Sequence, residues 1–378
     1  MVRIGVIGIG RMGGRHARNI AKGRVKDCVL TAVCDIDEAK LTKFVESNNK
    51  IRTFTDYKEM LKSGLIEAVI IATPHYFHVP IAIDCLEGGM NILVEKPIAV
   101  TVGEAVRLNE IAKQHQDKKF AIMFNQRTNR MYKKAKEIIA SGKLGEIRRA
   151  NFIVTDWYRS EAYFRQGGWR ASWSGEGGGA LINQCVHQLD ILQWLIGMPE
   201  SIYSECHTRN RNITVENEVV ALFKYKNNMT ATFTAATNEL IGTNRLEIAG
   251  DRGRILIDKF KMKFIAFTKS EIEVNDSTKR GYGFTTFKVS KTKYGFINMI
   301  RDVVFGQQIN IIRNFTKAIQ GKEELVASGI EGINALSLIN GIYMADSLRT
   351  TVNLPLDSKA YDDLLAKKIE KETIKRGK

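Results

Sequence analysis

Val2-Arg3-Ile4-Gly5-Val6-Ile7-Gly8-Ile9-Gly10-Arg11-Met12-Gly13 decides the fold. An apolar run of strand length passes directly into three glycines spaced G-x-G-x-x-G, and a helical pattern follows. Each glycine has a mechanical reason. Gly8 lets the chain turn tightly out of the strand. Gly10 removes a Cβ where a diphosphate must approach the backbone, and Gly13 lets the helix pack closely on the sheet. Arg11 and Met12 open that helix, so its free N–H groups and positive dipole end face the diphosphate. A second apolar run, 30–34, ends on Asp35, 22 residues after Gly13. A carboxylate there can accept hydrogen bonds from both hydroxyls of an adenosine ribose. Ile36 and Asp37 follow, with no arginine to meet a 2′-phosphate, so the pattern points to NAD rather than NADP.

Working outward, strand and helix patterns alternate to about residue 124. Strands are expected at 2–7, 30–34, 51–54, 68–72, 91–94 and 120–124, with helices at 14–22, 37–48, 57–63, 77–87 and 102–115. Most of these strands are continuous apolar runs, as in a parallel sheet covered by helices on both faces. The reading is an α/β, doubly wound Rossmann domain over 1–123. Beyond it the character changes. After a helix that ends near 141–142, half-buried strands are expected at 148–155, 218–226, 229–236, 245–249 and 254–258, with helices at 179–196, 310–319 and 330–349. This second part, 124–378, reads as an α+β domain with a large, mostly antiparallel sheet and helices on one face. It would bind substrate and serve oligomerisation.

Composition narrows the function classes. At 378 residues, with 44% hydrophobic and 26% charged residues, the chain is that of a globular protein with more than one core. No apolar stretch reaches the ~20 residues of a membrane span. The first strand already carries the glycine motif, which leaves no room for a cleaved leader, so a cytoplasmic protein is expected. Five scattered cysteines without a CxxC pair, and six histidines without a ligand spacing, predict no disulfide framework and no metal. The net charge of +16 draws heavily on residues 252–293, with eleven Lys/Arg against four Asp/Glu, and on the tail 367–378. A solvated basic surface accounts for this more simply than a nucleic-acid interface.

Three constellations carry the chemistry. Lys96 follows a buried strand and precedes Pro97, where it points into the crevice expected to hold a nicotinamide ring. Crowding there favours a lowered pKa, useful for proton transfer or for stabilising an alkoxide. In the run Gly177-Gly178-Gly179 through Asp190, helical spacing places Asn183, His187 and Asp190 within about 60° around one helix axis. His187 can take a hydroxyl proton, Asn183 can only orient, and Asp190 is expected to pair structurally. Third, three of the four tryptophans lie within 156–173, interleaved with arginines. Tyr158, Arg159, Trp169 and Arg170, with Arg127 at another strand end, are candidates to hold a sugar ring by stacking and by guanidinium forks. Stacked bases or plain loop packing would use the same residues.

The chain resembles the Gfo/Idh/MocA oxidoreductases, named for glucose–fructose oxidoreductase, inositol dehydrogenase and a rhizopine-catabolism protein. Glu95-Lys96-Pro97 is similar to the family's Glu-Lys-Pro motif, with a catalytic lysine and often a cis Lys–Pro bond. Thr73-Pro74-His75 and His78 resemble the segment that lines the nicotinamide pocket, and Glu95 joins them as a cofactor-side residue. Gly177 to His187 resembles the element that supplies the base, except that Asn183 stands where many members have Asp. That departure is similar to a branch acting on glycosides and nucleotide sugars, including dehydrogenases of the C3 hydroxyl of glucosides. The resemblance implies an NAD-dependent dehydrogenase of a secondary hydroxyl on a pyranose-type sugar, glycoside or cyclic polyol. Lys96, His187 and Asn183 would be catalytic, and the protein a homodimer or homotetramer. Two alternatives remain: a redox-neutral, NAD-retaining glycosidase or epimerase working through a keto sugar, and a non-catalytic NAD-binding regulator.

Overall fold

The structure is a computed structural model and describes residues 1–46, 50–166, 168–279, 281–293 and 306–376. Six strands form the first sheet: β1 (Val2–Ile7), β2 (Cys28–Cys34), β3 (Arg52–Phe54), β4 (Ala68–Ile71), β5 (Asn91–Val94) and β6 (Phe120–Ile122). They are all parallel, in the order β3-β2-β1-β4-β5-β6. β4 is buried along its whole length and β5 at three of its four residues, because helices cover both faces. The order reverses beside β1, and that switch point opens the crevice in which such sheets bind ligands. The helix expected over 37–48 runs Glu38–Val45, started by the Asp37 side chain, which accepts from Ala39 N; residues 47 and 48 lie outside the described residues.

The second sheet has nine strands: β7 (Ile147–Val154), β8 (Ser201–His207), β9 (Glu218–Lys224), β10 (Thr230–Ala236), β11 (Asn244–Gly250), β12 (Gly253–Asp258), β13 (Lys261–Phe267), β14 (Phe287–Lys293) and β15 (Val352–Asn353). Their order is β14-β13-β12-β11-β7-β10-β9-β8-β15. Only β7 and β10 pair in parallel; every other neighbour is antiparallel. Burial alternates along the central strands. Phe152, Ala221, Phe223, Ala231 and Phe233 point into a core closed by helices Val186–Ile196 and Gly332–Leu348. The opposite face leaves Ile153, Tyr203, Val220 and Leu222 exposed.

The two sheets are locked together by the chain's return. Ile122 N donates to Ala327 O at 3.1 Å, which adds residues 327 and 328 to the edge beside β6. Buried Asn340, on helix Gly332–Leu348, accepts from Val102 N (2.9 Å) and donates to Val100 O (3.2 Å). The segment after β5 and the second core are thereby held in one register, and the site lies at their seam.

Candidate active site

At the cofactor end, the glycines take the roles their spacing predicts. Gly8 has φ +87°, and a Cβ there would sit 2.7 Å from Ala72 O. A Cβ on Gly13 would overlap the carbonyl oxygen of Gly8. Gly10 differs: a Cβ there would meet no atom within 4 Å, so the space before helix Arg11–Ala21 is open. No side chain caps that helix, which leaves its first N–H groups free for an anion. Asp35 Oδ2 accepts from Ile9 N at 2.7 Å and Oδ1 from Asp37 N at 3.0 Å, so the carboxylate is held at the edge of the same opening. Thr73 Oγ1 is buried without a partner, and Thr73 and Pro74 are half-buried at the cleft wall. An open cradle, uncapped N–H groups and an oriented acid fit a dinucleotide.

Lys96 and the glycine-rich helix start meet directly. Lys96 Nζ donates to the main-chain oxygen of Asn183 at 2.7 Å, and the Lys96–Pro97 peptide is cis. Burial pulls the Lys96 pKa down, while the carboxylates of Glu95 and Glu176 oppose that pull. The helix start is not the α-turn that the spacing implies. Residues Leu181–Cys185 wind as a π-helix before Val186–Ile196 continues as an α-helix, so the register of Asn183 against His187 is shifted. His187 remains at the cleft, half-buried. Burial, reinforced by the Lys96 ammonium, holds its pKa down to about 3. The ring is held neutral at ordinary pH, and its Nδ1 is buried without a partner.

Three residues expected at the ligand are buried with partners inside the protein. His78 is 1% exposed, with Nδ1 2.7 Å from Pro97 O and Nε2 2.9 Å from Thr73 O. It ties two backbone segments together behind the pocket. Glu95 bonds His16 Nε2 at 2.7 Å and accepts from Lys96 N at 3.1 Å. Burial would raise its pKa, but His16 and Lys96 outweigh that and hold it low. Glu95 thus orients Lys96. Arg127, read as a sugar contact, is 1% exposed. Its Nε and Nη2 donate to Asp190 at 2.9 and 2.7 Å, Nη1 pairs with Glu331, and its plane lies against Phe124 and Trp194. The guanidinium is thus held by the protein's own carboxylates and rings.

The aromatic segment forms a wall. Arg170 lies over the rings of Trp169 (4.8 Å) and Tyr163 (5.6 Å), and Arg159 over Tyr163 (4.8 Å). Trp169 meets His75 edge-on at 5.4 Å, and His75 Nδ1 bonds the main-chain oxygen of Glu176 at 2.9 Å. The wall is continuous with the glycine run. Tyr158 stands further out, exposed, beneath Arg211. Gln184 and Glu176 have no role assigned from the sequence: Gln184 Nε2 donates to Tyr163 Oη at 3.0 Å, and Glu176 is a buried acid inside a glycine run. The signal for Glu176 was available, because an acid among glycines that cannot cover it needs buried partners.

This crevice and its cradle define an NAD-dependent oxidoreductase with a Rossmann domain. The chain belongs to the Gfo/Idh/MocA oxidoreductases: residues 2–123 match the family's NAD-binding Rossmann fold and residues 132–256 its C-terminal domain. It is 23% identical over 349 residues to myo-inositol 2-dehydrogenase of Thermotoga maritima, spanning 89% of this chain and 94% of that one. The WlbA dehydrogenase from Bordetella pertussis, solved with NADH and UDP-GlcNAcA, has the same fold, with a TM-score of 0.77 at 23% identity over 94% of this chain and 99% of that one. Levoglucosan dehydrogenase with NADH and L-sorbose gives 0.76 at 20% identity, over 94% and 99%. Among the described residues no helix is long and apolar enough to cross a membrane, and no three His, Cys, Asp or Glu side chains converge on a metal position.

Proposed function

We propose that the protein oxidises a secondary hydroxyl of a pyranose-type sugar, glycoside or cyclic polyol, with the C3 carbinol of a pyranose as the first position to test. The observation that carries this reading is the Lys96 Nζ to Asn183 hydrogen bond. It draws the Glu-Lys-Pro strand end and the His187 helix into one site. Gly8, Gly10, Arg11, Met12, Gly13 and Asp35 would hold NAD⁺, which would supply the hydride acceptor for the carbinol C–H. His187 Nε2 takes the hydroxyl proton, and the neutral state of the ring leaves it free to do so. The Lys96 ammonium stabilises the alkoxide as it forms. Asn183 orients the hydroxyl, and Arg159, Trp169 and Arg170 bound the space in which a ring would lie. The inositol dehydrogenase relative supports a cyclic polyhydroxylated substrate.

A screen of glycosides, pyranoses and inositols with NAD, read by NADH absorbance, tests the proposal. Substrate-dependent NADH from at least one member is expected. Product formation with no net NADH and with cofactor copurifying would replace the proposal by the redox-neutral glycosidase or epimerase. NAD binding with no turnover of any kind would leave the regulator. We also propose a homodimer or homotetramer, built on the open face of the nine-stranded sheet.

A further inference from the structure

Asn183 is held from two directions. Its main-chain oxygen accepts from Lys96 Nζ at 2.7 Å, and its side-chain Nδ2 donates to Glu176 Oε1. Glu176 is 2% exposed, lies between Gly175 and Gly177, and is anchored independently of Asn183. Ala171 N donates to its Oε2 at 2.7 Å, and Arg170 Nη1 stands 3.8 Å from its Oε1. Burial pushes the Glu176 pKa up, while Ala171 N, Arg170, Asn183 and Lys96 oppose that push; as a carboxylate Glu176 can only accept, so the amide facing it presents Nδ2 and turns Oδ1 the other way.

We infer that Glu176 is the positioning carboxylate of the site: it fixes the Asn183 amide so that Oδ1 faces the substrate hydroxyl, and it places behind position 183 the negative charge that an aspartate there would bring. The inference rests on the proposed dehydrogenase reading for its kinetic consequences, but not for its electrostatic one. Asn183 then acts as an acceptor that aligns the hydroxyl O–H, while the proton itself still goes to His187. The Glu176 charge also supports the Lys96 ammonium, which burial disfavours. Nothing in the G-x-G-x-x-G or Glu-Lys-Pro motifs points to residue 176; the pairing exists only in the fold.

The test is a reciprocal exchange in the intact protein. Glu176→Gln removes the charge and lets the amide rotate. Asn183→Asp sets two carboxylates in contact, which forces one to hold a proton. Each single variant is expected to lower kcat at least about tenfold. The double variant, Glu176→Gln with Asn183→Asp, restores one carboxylate and one amide and should recover to within about threefold of wild type. NADH affinity, followed by Trp fluorescence, and the thermal melt should change little across the set. Losses that simply multiply in the double variant, or unchanged kcat in Glu176→Gln, would overturn the inference.

A second readout needs no substrate. The acylation rate of Lys96 against pH, measured by peptide mass spectrometry, reports its ionisation in the free protein. Its midpoint should fall to lower pH in Glu176→Gln and return toward wild type in the double variant. An unmoved midpoint would overturn the electrostatic part even if no sugar or polyol is ever oxidised. A moved midpoint in a protein that oxidises nothing would retain the Glu176 pairing and reject the dehydrogenase reading.

Discussion

At the scale of single residues, the proposed mechanism separates groups that would meet ligand from groups that would aim them. Lys96 and His187 face the cleft. Replacing either, as Lys96→Met or His187→Ala, should lower turnover at least about 100-fold while NADH still quenches Trp fluorescence. Near-normal turnover in one of them would remove that residue from the mechanism. Their pH dependence has a definite sign. With His187 held to about 3, the ring stays neutral through the mildly acidic range, so kcat should show no limb near the ordinary histidine pKa of ~6.5. In the proposed mechanism Lys96 serves as the ammonium, and burial depresses its pKa, so activity should fall as pH rises, before the usual lysine range is reached. Lys96→Arg should abolish that alkaline limb even at reduced rate, and a limb that persists in Lys96→Arg would assign it elsewhere. Asp35 makes a separable contribution. Its carboxylate holds Ile9 N and faces the ribose position, so Asp35→Ala should weaken NAD far more than NADP in binding titrations. An equal loss for both would refute the ribose contact.

At the scale of elements, the β1–helix–β2 unit was legible because each segment satisfies one strong local rule: the strands are mostly apolar, broken only by Arg3 and Thr31, and the glycines mark the turn. The segments left unassigned obey weaker rules. β8 interrupts its inward face with Ser204, which is tolerated because its Oγ donates to Ile342 O at 2.7 Å, a partner 138 residues away. β13 and β14 carry lysines at exposed positions, where they blunt the sheet's edge and hide the strand pattern. Helix Ser358–Arg376 buries a thin line of Tyr361, Leu365 and Glu372, and Glu372 accepts from Trp173 N and Ser174 N at 3.0 Å. His78 and Glu95 were expected at the cofactor from the family resemblance and Arg127 at the substrate from its place after a strand end; their partners within the protein show only in the fold. The Arg127–Asp190 pair makes this measurable. Both side chains are 1% exposed, so Asp190→Ala leaves a buried guanidinium with its main partner gone. A loss of about 3–5 kcal/mol in urea unfolding is expected. A change under about 1 kcal/mol would show that Glu331 and the flanking rings suffice.

At the scale of the whole molecule, the cofactor crevice and the open face of the second sheet are different surfaces. The crevice lies at the seam of the two sheets, whereas Ile153, Tyr203, Val220 and Leu222 form an apolar strip on the sheet face that no helix of the described chain covers. For the proposed oligomer, Val220→Lys with Leu222→Glu should shift the protein to monomers in light-scattering chromatography. An unchanged mass would place the interface elsewhere or exclude it. The central claim concerns the crevice, where the coenzyme's reactive ring must face Lys96 and His187 together, and a crystal structure with NADH and a turned-over polyol tests it most directly. The nicotinamide is expected beside Thr73 and Lys96, with the carbinol carbon about 3–3.5 Å from its reactive carbon and the hydroxyl within hydrogen-bond reach of both Lys96 Nζ and His187 Nε2. A nicotinamide turned away from those two groups, or a cradle that takes up no NADH, would contradict it.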